Sequence, residues 1–121
     1  MCNLTTIDVN NKKIMVADIK KDYILNIIQS VKLCDAIKRV VLFGSSTGNN
    51  CREQSDIDIA VFGDKTKAQM FKSKDYRAFV DAVCGFGDLQ DYDILYFGRE
   101  AKYTSAIMND IDDGVVLYER G

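Results

Sequence analysis

Two aspartates interrupt an apolar segment near the middle of the chain. Asp56 and Asp58 stand on either side of Ile57, and the run from Ile57 to Phe62 otherwise contains residues typical of a buried strand. In a strand, residues two apart point to the same face, so the two carboxylates are predicted to lie side by side while the isoleucines pack behind them. Their repulsion is relieved if an oxygen-seeking cation such as Mg²⁺ binds between them. The pair therefore indicates a metal site.

A second apolar run, Val40 to Phe43, leads into Gly44 and Ser45, and ten residues separate that serine from Asp56. Glycine lets the backbone approach a ligand closely, and the serine hydroxyl and the amides after it, including that of Ser46, can bind phosphate oxygens. If the two runs pair as neighbouring strands, the phosphate-binding turn faces the aspartates. Mg²⁺ usually takes one or two carboxylates and completes its shell with water and substrate phosphates, so we expect a triphosphate substrate.

A third candidate carboxylate lies in the apolar run from Tyr92 to Phe97. Asp93 is preferred over Asp88 and Asp91 because it alone stands between apolar residues. If this run forms the adjacent strand, three carboxylates can hold two ions about 3.5 to 4 Å apart, as in phosphoryl and nucleotidyl transfer. Arg52 in the intervening loop is a further candidate phosphate ligand, and a solvated loop residue is the simpler interpretation of it.

Alternating helical and strand-like segments predict an α/β or α+β fold, with one small sheet flanked by helices. The length of 121 residues fits a single domain. We interpret residues 1–17 as an N-terminal extension and residues 18–121 as the domain. The predicted elements are a hairpin within Thr5 to Val16, a helix capped by Asp18, strands at Val40 to Phe43 and Ile57 to Phe62, a helix capped by Ser73, a strand at Tyr92 to Phe97, a helix over Ser105 to Asp112 and a strand at Val115 to Tyr118. In the first helix, Lys20 and Lys21 are placed between the apolar positions.

Composition narrows the chemistry further. The chain has four cysteines in no C-x-x-C pair and no histidine, which argues against a zinc site and against histidine-activated nucleophiles. A net charge of -2 without a dense basic run argues against an extended nucleic acid as partner. Since no apolar run approaches the ~20 residues of a membrane span and no signal peptide is visible, we predict a cytoplasmic protein without a membrane partner.

Gly-Ser, ten residues, Asp-x-Asp in an apolar strand and a later apolar-flanked aspartate resemble the signature of the DNA polymerase beta-like nucleotidyltransferase superfamily. The short length is similar to that of its minimal nucleotidyltransferases, the partners of HEPN proteins in toxin–antitoxin pairs. The resemblance covers the chain from about the first helix to Tyr118.

The resemblance implies that Ser45 contacts the nucleotide phosphates, that Asp56 and Asp58 bind Mg²⁺, and that Asp93 is the third ligand or the base for the acceptor hydroxyl. The implied reaction transfers AMP from ATP to a tyrosine of a HEPN toxin, a ribonuclease that the modification silences. Family members usually carry Arg or Lys within the few residues after Gly-Ser, and often a second glycine, whereas residues 46–50 here are Ser, Thr, Gly, Asn and Asn.

Two alternatives stay open. The departure favours the first, a non-catalytic member of the fold that binds a nucleotide or a partner. The second is a small-molecule enzyme resembling aminoglycoside adenylyltransferases, for which a homo-oligomer could build the acceptor pocket.

Overall fold

The computed structural model describes residues 3–9, 12–44, 56–86, 90–98, 111 and 114–120. The strands within these ranges are β1 (Leu4–Val9), β2 (Lys12–Ala17), β3 (Ile37–Phe43), β4 (Ile57–Gly63), β5 (Tyr92–Phe97) and β6 (Val115–Glu119). The α-helices are α1 (Lys21–Ser30), α2 (Lys67–Lys72) and α3 (Lys74–Cys84), and short 3-10 turns cover Asp18–Lys20 and Val31–Leu33.

Four strands form one mixed sheet in the order β5-β4-β3-β6. β3 runs antiparallel to both β4 and β6, whereas β4 and β5 are parallel. The predicted small mixed sheet is therefore confirmed, as is the pairing of the two central runs. The chain enters β4 at the edge of the sheet where β3 ends, and β5 begins at that same edge.

The main core lies between one face of this sheet and the helices α1 and α3. Ile57 and Ile59 point to this face and are fully buried, as their alternation with the aspartates predicts. From the helices, Ile24 and Ile27 of α1 and Phe79 of α3 join the same cluster. Because Asp58 alternates with these isoleucines along β4, it belongs to the opposite face of the sheet.

The helix after Ser73 agrees with its prediction. The Ser73 hydroxyl accepts a hydrogen bond from the Tyr76 backbone N–H at 3.4 Å, and α3 ends at Cys84, just before Gly85. The predicted cap at Asp18 is wrong, because Asp18 opens a 3-10 turn, and the residue preceding α1 is Lys20, which makes no side-chain cap bond.

One helix was missed by the sequence analysis. Thr66 caps α2 in a reciprocal arrangement: its hydroxyl accepts from the Gln69 backbone N–H at 3.2 Å, and the Thr66 N–H donates to Gln69 Oε1 at 3.1 Å. The predicted helix over residues 105–112 lies outside the described residues except for Ile111, which is helical and buried.

The predicted N-terminal hairpin is confirmed, with β1 antiparallel to β2 and Val9 paired with Lys12. Its inward residues Ile7, Val9 and Val16 belong to the same core cluster as the sheet and helices. The division of the chain after residue 17 stays a prediction. None of the helices in the described part of the chain is long and apolar enough to cross a membrane.

Candidate active site

The candidate site lies at the edge of the sheet where β3 ends and both β4 and β5 begin. Gly44 follows β3, Asp56 precedes β4, Asp58 is its second residue, and Asp93 is the second residue of β5. β4 runs antiparallel to β3, so it begins where β3 ends, and β5 begins beside it because β4 and β5 are parallel. The structure thus assembles residues that are up to 49 positions apart in the sequence (from Gly44 to Asp93).

Asp58 and Asp93 are partners in the parallel register of β4 and β5. Neighbouring strands lie about 4.8 Å apart, so side chains at paired positions on one face are direct neighbours. Asp58 is half-buried, whereas Asp93 and Asp56 are exposed. Asp93 was predicted to join the site if its strand lies next to β4, and β5 is that neighbouring strand.

The three carboxylates share one electrostatic environment centred on Asp58. Burial raises the pKa of the Asp58 carboxyl above its usual value, and the negative charges of Asp93 and Asp56 raise it further. An ionised Asp58 is therefore disfavoured in the protein without a cation. Carboxylate oxygens are the ligands that Mg²⁺ prefers, so the chemistry of this group fits a hard divalent cation.

The carboxylates do not form a finished coordination sphere by themselves. Within the described ranges, no three Cys, Asp or Glu side chains are arranged as a set that could hold a metal ion. A Mg²⁺ ion with only one or two direct protein ligands, and with substrate phosphates as the remainder, is consistent with this sparse arrangement.

Gly44 is required at its position for two independent reasons. Its φ of +79° lies in the left-handed region that residues with a side chain rarely adopt. A Cβ added to Gly44 would also overlap the carboxylate oxygen Oδ2 of Asp58. The missing side chain therefore lets the end of β3 lie directly against the Asp58 carboxylate.

The remaining predicted nucleotide ligands, Ser45, Ser46 and Arg52, lie outside the described residues, as does Asp88. Asp91 is described, and it precedes β5 with an exposed side chain. Its backbone oxygen accepts the Ile57 N–H at 3.0 Å. Asp91 thus contributes its carbonyl group to the joining of β4 and β5, and the structure places Asp93, not Asp91, opposite Asp58.

Sequence reasoning missed a buried polar pair at this edge. Lys20 is only 1% exposed, which corrects its placement among the polar positions of the first helix, and its ammonium group contacts Gln90. A signal was present, because Lys20 precedes Ile24, Ile27 and Val31 at helical spacing and so continues their buried stripe.

A mixed four-stranded sheet that packs against α1 and α3, with a group of carboxylates where its strands begin, is consistent with a nucleotidyltransferase fold. The family model described as "Polymerase beta, Nucleotidyltransferase" matches residues 25–120. The protein belongs to the polymerase beta nucleotidyltransferase family.

A solved structure supports the same fold. The chain resembles one described as a crystal structure of a mutant form of the toxin-antitoxin MntA-HpeT, with a TM-score of 0.52 and 20% sequence identity. The similarity covers 80% of this chain and 73% of the other. A search of curated protein sequences finds no match.

Proposed function

We propose that this protein is a minimal nucleotidyltransferase that transfers AMP from ATP to a hydroxyl group of a partner protein in a Mg²⁺-dependent reaction. The observation that carries the proposal is the register of β4 and β5, which sets Asp58 opposite Asp93 at the edge where Gly44 ends β3. Repelling carboxylates beside a close backbone turn are explained by a cation and a phosphate chain bound between them.

Asp56, Asp58 and Asp93 are the carboxylates among which Mg²⁺ would find its one or two direct protein ligands. When bound there, Mg²⁺ supplies stabilisation of negative charge on the triphosphate and lowers the pKa of the attacking hydroxyl. The raised pKa of Asp58 supports this assignment, because a ligand that is disfavoured as a free anion gains most from a bound cation.

The other residues of the site bind and orient the nucleotide. With no Cβ, Gly44 keeps the end of β3 close to Asp58, so phosphates bound next to Gly44 would lie beside the carboxylates. The expected phosphate contacts of Ser45, Ser46 and Arg52 rest on the family resemblance.

In the transfer step, the acceptor oxygen forms a bond to the α-phosphorus of ATP. The bond from that phosphorus to the bridging oxygen of the β-phosphate breaks, and pyrophosphate leaves with the electron pair. The proton of the acceptor hydroxyl passes to a carboxylate, and we assign this role to Asp93 because its side chain is exposed next to Asp58.

We further propose that the acceptor is a tyrosine of a HEPN-family toxin, which would make this protein an antitoxin. Support comes from the fold shared with a toxin-antitoxin structure. The tyrosine itself is carried over from the family resemblance.

The nucleotide site is tested by calorimetric titration of ATP into the protein with and without Mg²⁺. We expect binding that requires Mg²⁺ and that Asp58→Asn and Asp93→Asn each reduce by at least tenfold, as loss of a metal ligand does in order of magnitude. Asp81→Asn on the exposed side of α3 is the matched control and should bind as the wild type does. ATP binding that is equally strong without Mg²⁺, or that Asp58→Asn and Asp93→Asn retain as fully as Asp81→Asn does, would contradict the proposed nucleotide site.

The transfer itself is tested by incubating the protein with Mg²⁺-ATP and a co-expressed HEPN protein, followed by mass spectrometry of the partner. An added AMP on a tyrosine is expected with the wild type and not with Asp93→Asn. Mg²⁺-dependent ATP binding without any modified partner would favour the non-catalytic alternative.

A further inference from the structure

A buried lysine is linked through Gln90 to the segment that leads into β5. Lys20 is 1% exposed, and its Nζ donates a hydrogen bond to Gln90 Oε1 at 2.5 Å. Gln90 is itself 9% exposed. Fully buried lysines are rare in proteins, because removing the ammonium group from water is costly unless hydrogen bonds compensate. The burial of Lys20 is therefore unusual enough to suggest a functional role.

The hydrogen bonds continue from this pair to the strands that carry the carboxylates. Gln90 Nε2 donates to the Asp91 backbone oxygen at 2.7 Å. The same oxygen accepts the Ile57 N–H at 3.0 Å. Ile57 stands between Asp56 and Asp58, and Asp91 lies two residues before Asp93. One carbonyl oxygen thus joins the first residue of β4 to the segment that leads into β5.

We propose that Lys20 is a positioning residue for the carboxylate group, acting through Gln90 on the Asp91 carbonyl and so on the register of β4 and β5. This inference rests on the proposed function, because it assigns Lys20 to the arrangement of the Mg²⁺ ligands. Lys20 lies before residue 25, where the family match begins, and so belongs to a part of the chain that the family model does not describe.

Register matters at this edge because side chains alternate between the two faces of a strand. A slip of one residue in β4 would turn Asp58 into the core and bring Ile57 or Ile59 opposite Asp93. A hydrogen bond from a charged donor is stronger than one between neutral groups, so the lysine holds the Gln90 amide more firmly than a neutral side chain would. The amide then presents its Nε2 to Asp91.

A merely structural role would have different consequences. Lys20 is the last residue of the 3-10 turn between the N-terminal hairpin and α1. Its hydrogen bond to Gln90 therefore also links this part of the chain to the segment before β5. In that case, replacing it would lower the stability of the whole domain without a particular effect at Ile57. The two roles can be separated at the level of single backbone amides.

The test compares Lys20→Met with Lys32→Met by hydrogen exchange. Lys32 makes the same kind of bond, from Nζ to Gln29 Oε1 at 3.2 Å, but on the exposed side of the fold and away from the site. Methionine keeps much of the length of the lysine stem and suits a buried position. We expect the Ile57 amide to exchange about tenfold faster in Lys20→Met than in Lys32→Met, with the amides of Ile59 to Val61 changing less.

Metal-dependent ATP binding provides the second readout. Lys20→Met should weaken it by about tenfold, the order seen when a residue that orients a metal ligand is removed. Lys20→Arg, which restores a charged donor, should recover part of that loss. If Lys20→Met fails to fold, Gln90→Met removes the same link from its other end and takes its place in both measurements.

The outcomes separate this proposal from the function on which it rests. Equal exchange at Ile57 in the Lys20 and Lys32 variants, or a uniform rise along all of β4, would overturn the positioning role. If the wild type does not bind ATP, the proposed function fails, and the exchange comparison still decides whether Lys20 sets the start of β4.

Discussion

Asp58 and Asp93 occupy paired positions on two parallel neighbouring strands, and the pKa of the Asp58 carboxyl is raised by its burial and by the charges of Asp93 and Asp56. The group at the edge of the sheet is therefore under electrostatic strain when no cation is bound. Because this repulsion changes the free energy of unfolding, the proposed site can be tested by measuring stability as well as activity.

Removing the charge of Asp58 should stabilise the cation-free protein. A carboxyl whose pKa is higher in the folded state than in the unfolded state contributes stability below its unfolded pKa, and that contribution is lost as the pH rises through the folded pKa. Near neutral pH the charged Asp58 is thus unfavourable. We expect Asp58→Asn to gain about 0.5 kcal/mol, or roughly 2 °C in Tm, in thermal unfolding with a chelator present.

The same experiment at acidic pH supplies the internal check. Below about pH 3 the carboxyl of the wild type is protonated in both states, so the advantage of Asp58→Asn should vanish. Asp81→Asn, which changes an exposed side chain on α3, should show no comparable gain near neutral pH. A variant at position 58 that is less stable than the wild type near neutral pH would show that Asp58 is stabilised by its neighbours.

Binding of Mg²⁺ should reverse the order of stabilities. A ligand that binds only the folded state raises its stability with concentration, so millimolar Mg²⁺ with ATP should raise the Tm of the wild type. Asp58→Asn should lack this rise, while Asp81→Asn should retain it. Differential scanning calorimetry with and without the metal measures both. A rise of equal size in all three proteins would indicate binding elsewhere.

Replacing Gly44 with alanine should damage both the fold and the site. A non-glycine residue at a φ of +79° costs about 1 to 2 kcal/mol, and the new methyl group would overlap the Asp58 carboxylate. We expect Gly44→Ala to lower stability by more than the backbone term alone and to reduce ATP binding. Chemical denaturation gives the free energy of unfolding.

The two causes at Gly44 can be separated by a double-mutant cycle with Asp58→Ala. If the overlap contributes, Gly44→Ala should be less harmful in the Asp58→Ala background than in the wild type. Equal losses in both backgrounds would assign the whole effect to the backbone conformation.

Loss of the cap at Thr66 should affect stability and leave the site unchanged. Thr66→Ala removes the hydroxyl that accepts the Gln69 N–H, and such caps are worth about 1 kcal/mol. Thr66→Ser, which keeps the hydroxyl, is the matched control. Thr66→Ala should unfold at a lower temperature than Thr66→Ser, while calorimetric titration should give the same ATP affinity for both variants. A loss of affinity in Thr66→Ala alone would connect α2 to nucleotide binding.

Alkaline pH should destabilise the fold through Tyr76. Burial, assisted by Tyr96 and the cysteines nearby, raises the pKa of Tyr76 from 10.0 to about 12. The folded state thus holds its proton longer than the unfolded chain does, so stability should fall as the pH rises from about 10 to 12. Tyr76→Phe should weaken this dependence. Denaturant unfolding at several alkaline pH values provides the measurement.

The sequence predicted the site mainly because strand periodicity is a strong local signal. Ile57 and Ile59 have to be buried, and their alternation fixes the face on which Asp58 lies. The parallel pairing of Asp58 with Asp93 could only be stated as a condition, since pairing between distant strands has no local signature. The structure fulfils that condition through β5.

The start of α1, the burial of Lys20 and the helix α2 were not predicted correctly, because the local sequence signals at these positions were ambiguous or short. Asp18 has the side chain of a typical cap, but the chain forms a 3-10 turn there, and α1 begins only after the buried Lys20. Lysine is seldom buried in proteins, so Lys20 was predicted to be exposed, although its spacing places it on the buried face of the first helix. At Thr66, by contrast, the sequence T-x-x-Q is a recognised cap pattern, and the short length of α2 concealed it.

The mixed topology of the sheet also has a consequence for how the protein folds. β3 and β4 are consecutive strands, whereas β5 pairs with β4 only after both α2 and α3 have intervened. Contacts between distant segments carry the larger loop-closure entropy and tend to form late. During synthesis, Asp56 and Asp58 therefore emerge well before Asp93, and the complete carboxylate group can exist only once β5 has paired with β4. We expect nucleotide binding to report on the pairing of β4 with β5, so that a chain in which this pairing has not formed lacks the proposed nucleotide site.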